Sequence, residues 1–219
     1  MPLSEKALIE RVRRKVRRAG RTRELIAGIG DDCAVLRIPA RHDALITTDF
    51  SLEGIHFRRD WHPPEVVGHR CLTRGLSDIA AMGGKPIAAF LSLALPAKLP
   101  QNWVDGFMRG FLELARKFGV PLAGGDTAES PAGILADIVV LGSVPRGTAV
   151  LRSGAKPGDH IYVTGKLGAS AAVIEMLRGQ TKRKLRPTDF PAHFSPTPRV
   201  TIGRILREKK IASAMIDIS

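Results

Sequence analysis

The chain has 219 residues, 44% of them apolar, and a formal net charge of +13 from 34 Lys and Arg against 21 Asp and Glu. That apolar fraction can build a core, while no window approaches the roughly 18 consecutive apolar residues of a membrane span and the basic N-terminus lacks a signal-peptide apolar stretch, so a cytoplasmic globular protein is expected. Cys33 and Cys71 are the only cysteines and stand far apart, which argues against a disulfide framework or a zinc site and leaves two reduced thiols.

In chain order, Ser4 is placed to cap a helix whose Leu8, Ile9, Val12 and Val16 share one face, with Arg11, Arg13, Arg14, Lys15, Arg17 and Arg18 read as a solvated basic surface. A turn over Gly28 to Asp32 leads into two strands, Cys33 to Leu36 and Ala44 to Thr48, the second delivering Asp49 at its end. Pro64 to Met82 has helical spacing and stops at Gly83-Gly84, which puts Asp78 in its last turns. Ala88 to Leu95 is the next strand, Asn102 is placed to cap a helix from Trp103 to Phe118, and Val120 to Ala123 is a short strand entering Gly124-Gly125-Asp126. Ile134 to Val144 is near-continuously apolar and reads as a buried strand.

A polar Gly/Pro-bearing connection, Arg152 to Asp159, marks a domain boundary near residue 148. Beyond it, Ile161 to Thr164 opens a new strand-helix unit, residues 179 to 199 make a proline-rich arm, a helix runs from about Pro198 to Lys209, and Ala214 to Ile218 is a last strand. A strand aimed at Asp217-Ile218-Ser219 is an odd finish for a domain, so the chain is expected to be truncated.

The most informative pattern is a set of acidic residues beside Gly, Ser or Thr at strand and helix ends: Asp31, Asp32, Asp49, Asp78, Asp126 and Asp217. Carboxylates arriving from separate elements can hold hard cations, which favour oxygen donors and neutralise phosphate charge, so a magnesium-phosphate site is expected. Each aspartate alone reads equally well as a turn or cap residue. Gly28-Ile29-Gly30 is followed by Cys33 where the dinucleotide fingerprint needs its third glycine, and neither Gly84-Lys85 nor Gly165-Lys166 continues into the Ser or Thr of a P-loop. No His-Arg-Asp catalytic loop of protein kinases occurs. Among the histidines His56 is singled out because it follows Asp49 closely.

Taken together, Gly28 to Val35, Thr47-Thr48-Asp49 with Glu53 to Phe57, Leu76 to Gly83, Gly124 to Thr127, Arg152 to Asp159 and Ile216 to Ser219 resemble, in order, the thiamine-monophosphate kinase family. That family belongs to the superfamily of aminoimidazole ribonucleotide synthetase and selenophosphate synthetase. The resemblance implies an α/β (α+β) fold: residues 1–147 as an ATP- and magnesium-binding domain, with a mixed sheet and flanking helices, that pairs in a homodimer, and residues 148–219 as the start of an incomplete C-terminal α/β domain. It implies transfer of phosphate from ATP to thiamine phosphate, giving thiamine diphosphate. It also implies several magnesium ions held by Asp32, Thr47, Thr48, Asp49, Asp78, Asp126 and Asp217, ATP contacts at Gly125, Asp126, Arg152 and Ser219, a substrate contact at His56, and Asp31 supporting the ligands from behind.

The acceptor would be a phosphate oxygen, anionic near neutral pH, so positioning and charge neutralisation suffice without a strong general base. Other members of the superfamily would share the carboxylates but take another substrate. A non-catalytic anion- or nucleic-acid-binding role could rest on the charge of +13, yet aromatic residues make up only 5% and none interleaves with the basic blocks as a base-stacking platform would require.

Overall fold

The computed structural model describes residues 4–17, 22–27, 29, 33–179 and 185–218. Helix α1 (Glu5–Arg17) starts directly after Ser4, and a small antiparallel ribbon follows from β1 (Leu25–Ala27) and β2 (Val35–Leu36). The main sheet is built from β3 (His42–Leu52), β4 (Lys85–Pro96), β5 (Leu122–Gly124), β6 (Thr127–Ser130) and β7 (Leu135–Pro145). Its order is β3-β7-β4-β5, with β6 taking over from β5 further along the same edge of β4. The β3, β7 and β4 pairings are antiparallel and those of β5 and β6 to β4 are parallel, so the sheet is mixed. Between its strands run α2 (Pro64–Ala81) and α3 (Gln101–Phe118).

Both long helices lie on one face of the sheet, where their apolar stripes meet the inward residues of β4 and β7 in a single core containing Leu72, Leu76, Ile79, Phe107, Phe111, Ile138 and Val140. Each such side chain withdrawn from water stabilises the fold by about 1.5–3 kcal/mol before chain entropy is counted. The helices approach closely because Gly68 carries no side chain: a Cβ there would sit 2.0 Å from the Phe107 carbonyl oxygen. Leu8 inserts into the same core, and this anchors α1. Two residues of its basic block therefore do not stand free in solvent. Arg11 Nε and Lys15 Nζ both donate to Asp105 of α3, at 2.7 and 2.9 Å.

Several expectations need correction. The N-cap of α3 is Pro100 with no side-chain cap bond, so Asn102 lies inside the first turn. Strand β3 continues to Leu52, paired residue by residue with β7, so Asp49 sits within the strand instead of at its end. The apolar run of β7 is buried on one face only: Ala136, Ile138 and Val140 are in the core, whereas Asp137, Val139 and Leu141 are half-buried on the other.

Past Pro145 the described residues form helices and no strand: α4 (Ala169–Arg178), α5 (Pro191–Phe194) and α6 (Val200–Glu208), with a single 3-10 turn at Arg152–Gly154 and another at Pro187–Asp189. The expected strands over 161–164 and 214–218 are absent. A strand needs a neighbour to bond its backbone, and Ile161, 94% exposed, has nothing to pair with. Helix α6 lies on the C-terminal part of α2; Arg207 Nε donates to the Gly83 carbonyl at 2.8 Å and Nη1 to Thr148 at 3.2 Å. Among the described residues no helix is long and apolar enough to cross a membrane.

Candidate functional site

The site grows from the alternation of β3. Successive side chains point to opposite faces, so Thr47 and Asp49 face the α2 layer while Thr48 and Phe50 face away. The Thr47 hydroxyl donates to Asp78 Oδ2, tying the middle of β3 to the last turn of α2. The Thr48 hydroxyl instead donates to Asp137 Oδ1 at 2.8 Å on the outer face. The Thr48 hydroxyl is thus turned away from Asp78.

Thr47 and Asp78 line an open cleft of about 450 Å³ together with Ile79, Met82, Arg152 and Asp217. Helix α6 sets up this arrangement by returning the chain across α2, which lays Met215 and Asp217 beside Asp78. Arg152 Nη2 lies 3.8 Å from Asp217 Oδ1. Burial pushes the Asp78 carboxyl above its ordinary range, the Thr47 hydrogen bond pulls the other way, and the charges of Asp217 and Asp49 push it up again. Three carboxylates thus feel one another across a small space.

Asp49 is held by an arginine. Arg74 Nε lies 3.2 Å from Asp49 Oδ2, and Arg74 Nη1 donates to the Phe50 carbonyl at 2.6 Å, so one guanidinium grips both a side chain and the backbone of β3. His56 sits in the loop after β3, where its Nδ1 accepts the Leu52 N–H at 3.0 Å. That bond leaves Nε2 carrying the proton in the neutral ring. Burial lowers the His56 pKa, and the Arg74 charge lowers it further against an opposing pull from Asp49. His56 is therefore a neutral donor near pH 7.

At the other edge of β4, Gly125 has φ +146, a conformation reserved for glycine, and the turn it makes between β5 and β6 presents Asp126 to solvent. Asp126 Oδ1 accepts the Thr127 N–H at 2.8 Å and its carbonyl accepts the Leu93 N–H at 2.9 Å. It is not among the residues lining the cleft. Asp31, Asp32 and Ser219 lie outside the described residues.

The donor set suits a divalent cation. Carboxylates and a threonine hydroxyl are hard oxygen ligands, and a bound cation would relieve the mutual repulsion around Asp78. Among the described residues, however, no three acidic, His or Cys side chains converge closely enough to hold a metal by themselves. Reasoning from the sequence also passed over Arg70 and Arg74. Their signal was present: Arg74 precedes Asp78 by four residues on a helix, which puts both on one face.

Known proteins resemble the chain in both sequence and fold. The chain is 40% identical to the thiamine-monophosphate kinase of Salmonella typhimurium (strain LT2), over 88% of this chain and 58% of that protein. A crystal structure of thiamine-monophosphate kinase from Stenotrophomonas maltophilia K279a superposes with a TM-score of 0.79 at 33% identity, covering 95% of this chain and 66% of that one. A structure of AaThiL complexed with AMPPCP and TMP does so at 0.70 and 29% identity, covering 95% and 65%. The chain therefore spans between about three fifths and two thirds of these relatives' length. The family described as AIR synthase related protein, N-terminal domain, matches residues 30–144, more than half of the sequence, and the chain belongs to that family.

Proposed function

We propose that this chain carries the ATP- and magnesium-binding part of an enzyme that phosphorylates thiamine phosphate to thiamine diphosphate. The observation that carries the reading is the cleft in which Thr47, Asp78, Asp217 and Arg152 meet, within a chain similar to a protein complexed with AMPPCP and TMP. Asp32, Asp49, Asp78, Asp126 and Asp217, with Thr47 and the Thr48 carbonyl, would hold magnesium, which when bound neutralises phosphate oxygens. Arg152, Gly125, Asp126 and Ser219 would contact ATP, His56 the acceptor, and Asp31 would support the ligands.

The chain's own groups account for the rest of the chemistry. The acceptor phosphate is already a nucleophile, so no side chain need remove a proton in the step. Neutral His56 can donate from Nε2 to one phosphate oxygen, and Arg152 can draw the donor's phosphates towards the Asp217 end. These contacts orient two anions that would otherwise repel each other. The outer sheet face, with Ile46 and Phe50 exposed at 72% and 51%, is apolar enough to seat a second copy in a homodimer.

The test uses the protein expressed from its own reading frame, incubated with ATP, magnesium and thiamine phosphate, with products separated by chromatography. Thiamine diphosphate formation with matching ADP release is expected. ATP turnover that requires a different phosphorylated or selenium acceptor would replace this reading with another chemistry of the same superfamily.

A further inference from the structure

Helix α2 carries two arginines one turn apart, Arg70 and Arg74, and their circumstances differ. Arg74 is charge-paired through Nε to Asp49 and bound through Nη1 to the Phe50 carbonyl, which leaves its Nη2 without a partner among the described residues. Arg70 is half-buried, and its one hydrogen-bond partner among the described residues is the uncharged ring of His62, with Nη1 3.2 Å from Nε2. No carboxylate of the described residues pairs with it. His62 in turn meets His193 of α5 at 3.1 Å between their Nε2 atoms, and His193 Nδ1 meets the Ser170 hydroxyl at 2.9 Å, so the network offers Arg70 hydrogen bonds but no negative charge.

A half-buried guanidinium without a counter-anion gives up part of its hydration with no opposite charge to offset the loss, and its remaining N–H groups are open to an anion. Its charge is felt across the loop after β3: it lowers the pKa of His56, His62 and His193 alike. Arg74 reaches Asp49 and the Phe50 carbonyl, His56 Nδ1 takes the Leu52 N–H, and Arg70 stands one turn before Arg74 on α2, so these N–H donors gather near the end of β3, beside a cleft whose charged lining residues are Asp78, Arg152 and Asp217. We infer that Arg70, Arg74 and the Nε2–H of His56 form the seat for the phosphate group of the acceptor, a phosphate monoester dianion.

Guanidinium groups match a phosphate in shape as well as charge; Arg70 keeps Nε and Nη2 for two parallel N–H bonds, while Arg74 adds a bond from Nη2. The seat also separates the two phosphates of the reaction. Arg152 attends Asp217 at one end of the acidic cluster and Arg74 attends Asp49 at the other, so each anion approaches the carboxylates beside its own arginine. This inference rests on the proposed reaction for the identity of the acceptor, but the seat itself would bind any accessible phosphate monoester.

The experiment titrates the protein with inorganic phosphate, glycerol phosphate and thiamine phosphate, followed by phosphorus NMR, and compares Arg70→Met, Arg70→Lys and Arg74→Met. Arg70→Met is expected to weaken thiamine phosphate and inorganic phosphate at least about tenfold, Arg70→Lys to recover part of the loss, and AMPPCP binding with magnesium to stay within about twofold. If Arg70→Met fails to fold, as near-UV circular dichroism would show, the same comparison passes to Arg70→Lys and Arg74→Met. Unchanged phosphate affinity in folded variants overturns the seat. Thiamine phosphate binding that ignores Arg70 overturns the seat and leaves the proposed reaction standing. Arg70-dependent binding with no preference for thiamine phosphate over glycerol phosphate confirms the seat and removes thiamine as the acceptor.

Discussion

Gly125 passes so close to Leu91 that a Cβ on it would meet the Leu91 carbonyl oxygen at 1.9 Å. The turn between β5 and β6 is pressed against β4 here, and φ +146 adds backbone strain for any other residue. Gly125→Ala is expected to cost about 3 kcal/mol, since overpacking and strain act together. Chemical denaturation measures it, and a loss below about 1 kcal/mol would show that the turn can move away.

Asp105 binds Arg11 and Lys15 of α1, and the Arg11 hydrogen bond in particular holds its carboxyl well below the usual carboxylate range. A depressed carboxylate contributes stability above its unfolded pKa, near 3.9, and loses it as pH falls through the folded value. The groups are partly exposed, so Asp105→Asn should cost only about 1 kcal/mol at pH 7. The gap to the parent should narrow below about pH 4. Urea melts at pH 7 and pH 3 that gave the same gap would contradict this account.

His62 and His193 titrate near 4 because burial and then the Arg70 charge keep both rings neutral. Asp60 pulls His62 the other way, Arg58 meets it through its backbone, and Ser170 faces His193. Rings that bind protons more readily unfolded, near pH 6.5, than folded give stability that is complete above 6.5 and lost as pH drops towards 4. Hydrogen exchange in α4 and α5 should therefore quicken between pH 6.5 and 4.5 more than in α3. His193→Phe should flatten that dependence, and an equal acid response in the variant would assign it to other groups.

Asp78 lies at the opposite extreme, since burial and neighbouring carboxylates disfavour its charge. Because its folded pKa is raised, ionised Asp78 weakens folding at neutral pH, and Asp78→Asn should leave the melting temperature unchanged or higher while keeping an acceptor for Thr47. Product formation should nevertheless fall by orders of magnitude. A destabilised but active variant would reverse both halves of the prediction.

The long elements were legible because period and length agreed: Pro64 to Met82 was expected as a helix and α2 covers Pro64–Ala81. The short β1 and β6 escaped, since three or four residues carry no measurable period, and each exists because a neighbouring strand supplies its partner. Within the site, Asp78 and Asp217 could be placed near one another only after α6 had folded back on α2, a long-range contact that spacing does not encode. Thr47 and Thr48 looked equivalent in sequence, and only the pleat separates them. Arg70 was hidden for a different reason: its significance lies in the lack of a carboxylate partner among the described residues, which spacing along the helix does not reveal.

The alternation of β3 has a consequence for how this protein can change over time. Because Thr47 and Asp49 face the α2 layer while Ile46 and Phe50 carry exposed side chains on the other side, the two faces can drift separately by substitution. They cannot tolerate a change of length. Deleting Ile46 alone would turn the rest of the strand over, putting a phenylalanine in the place of Asp49 beside Arg74 and an aspartate on the outer surface. Lineages of this fold should therefore differ freely in the residues of this strand and hardly at all in their number between His42 and Leu52.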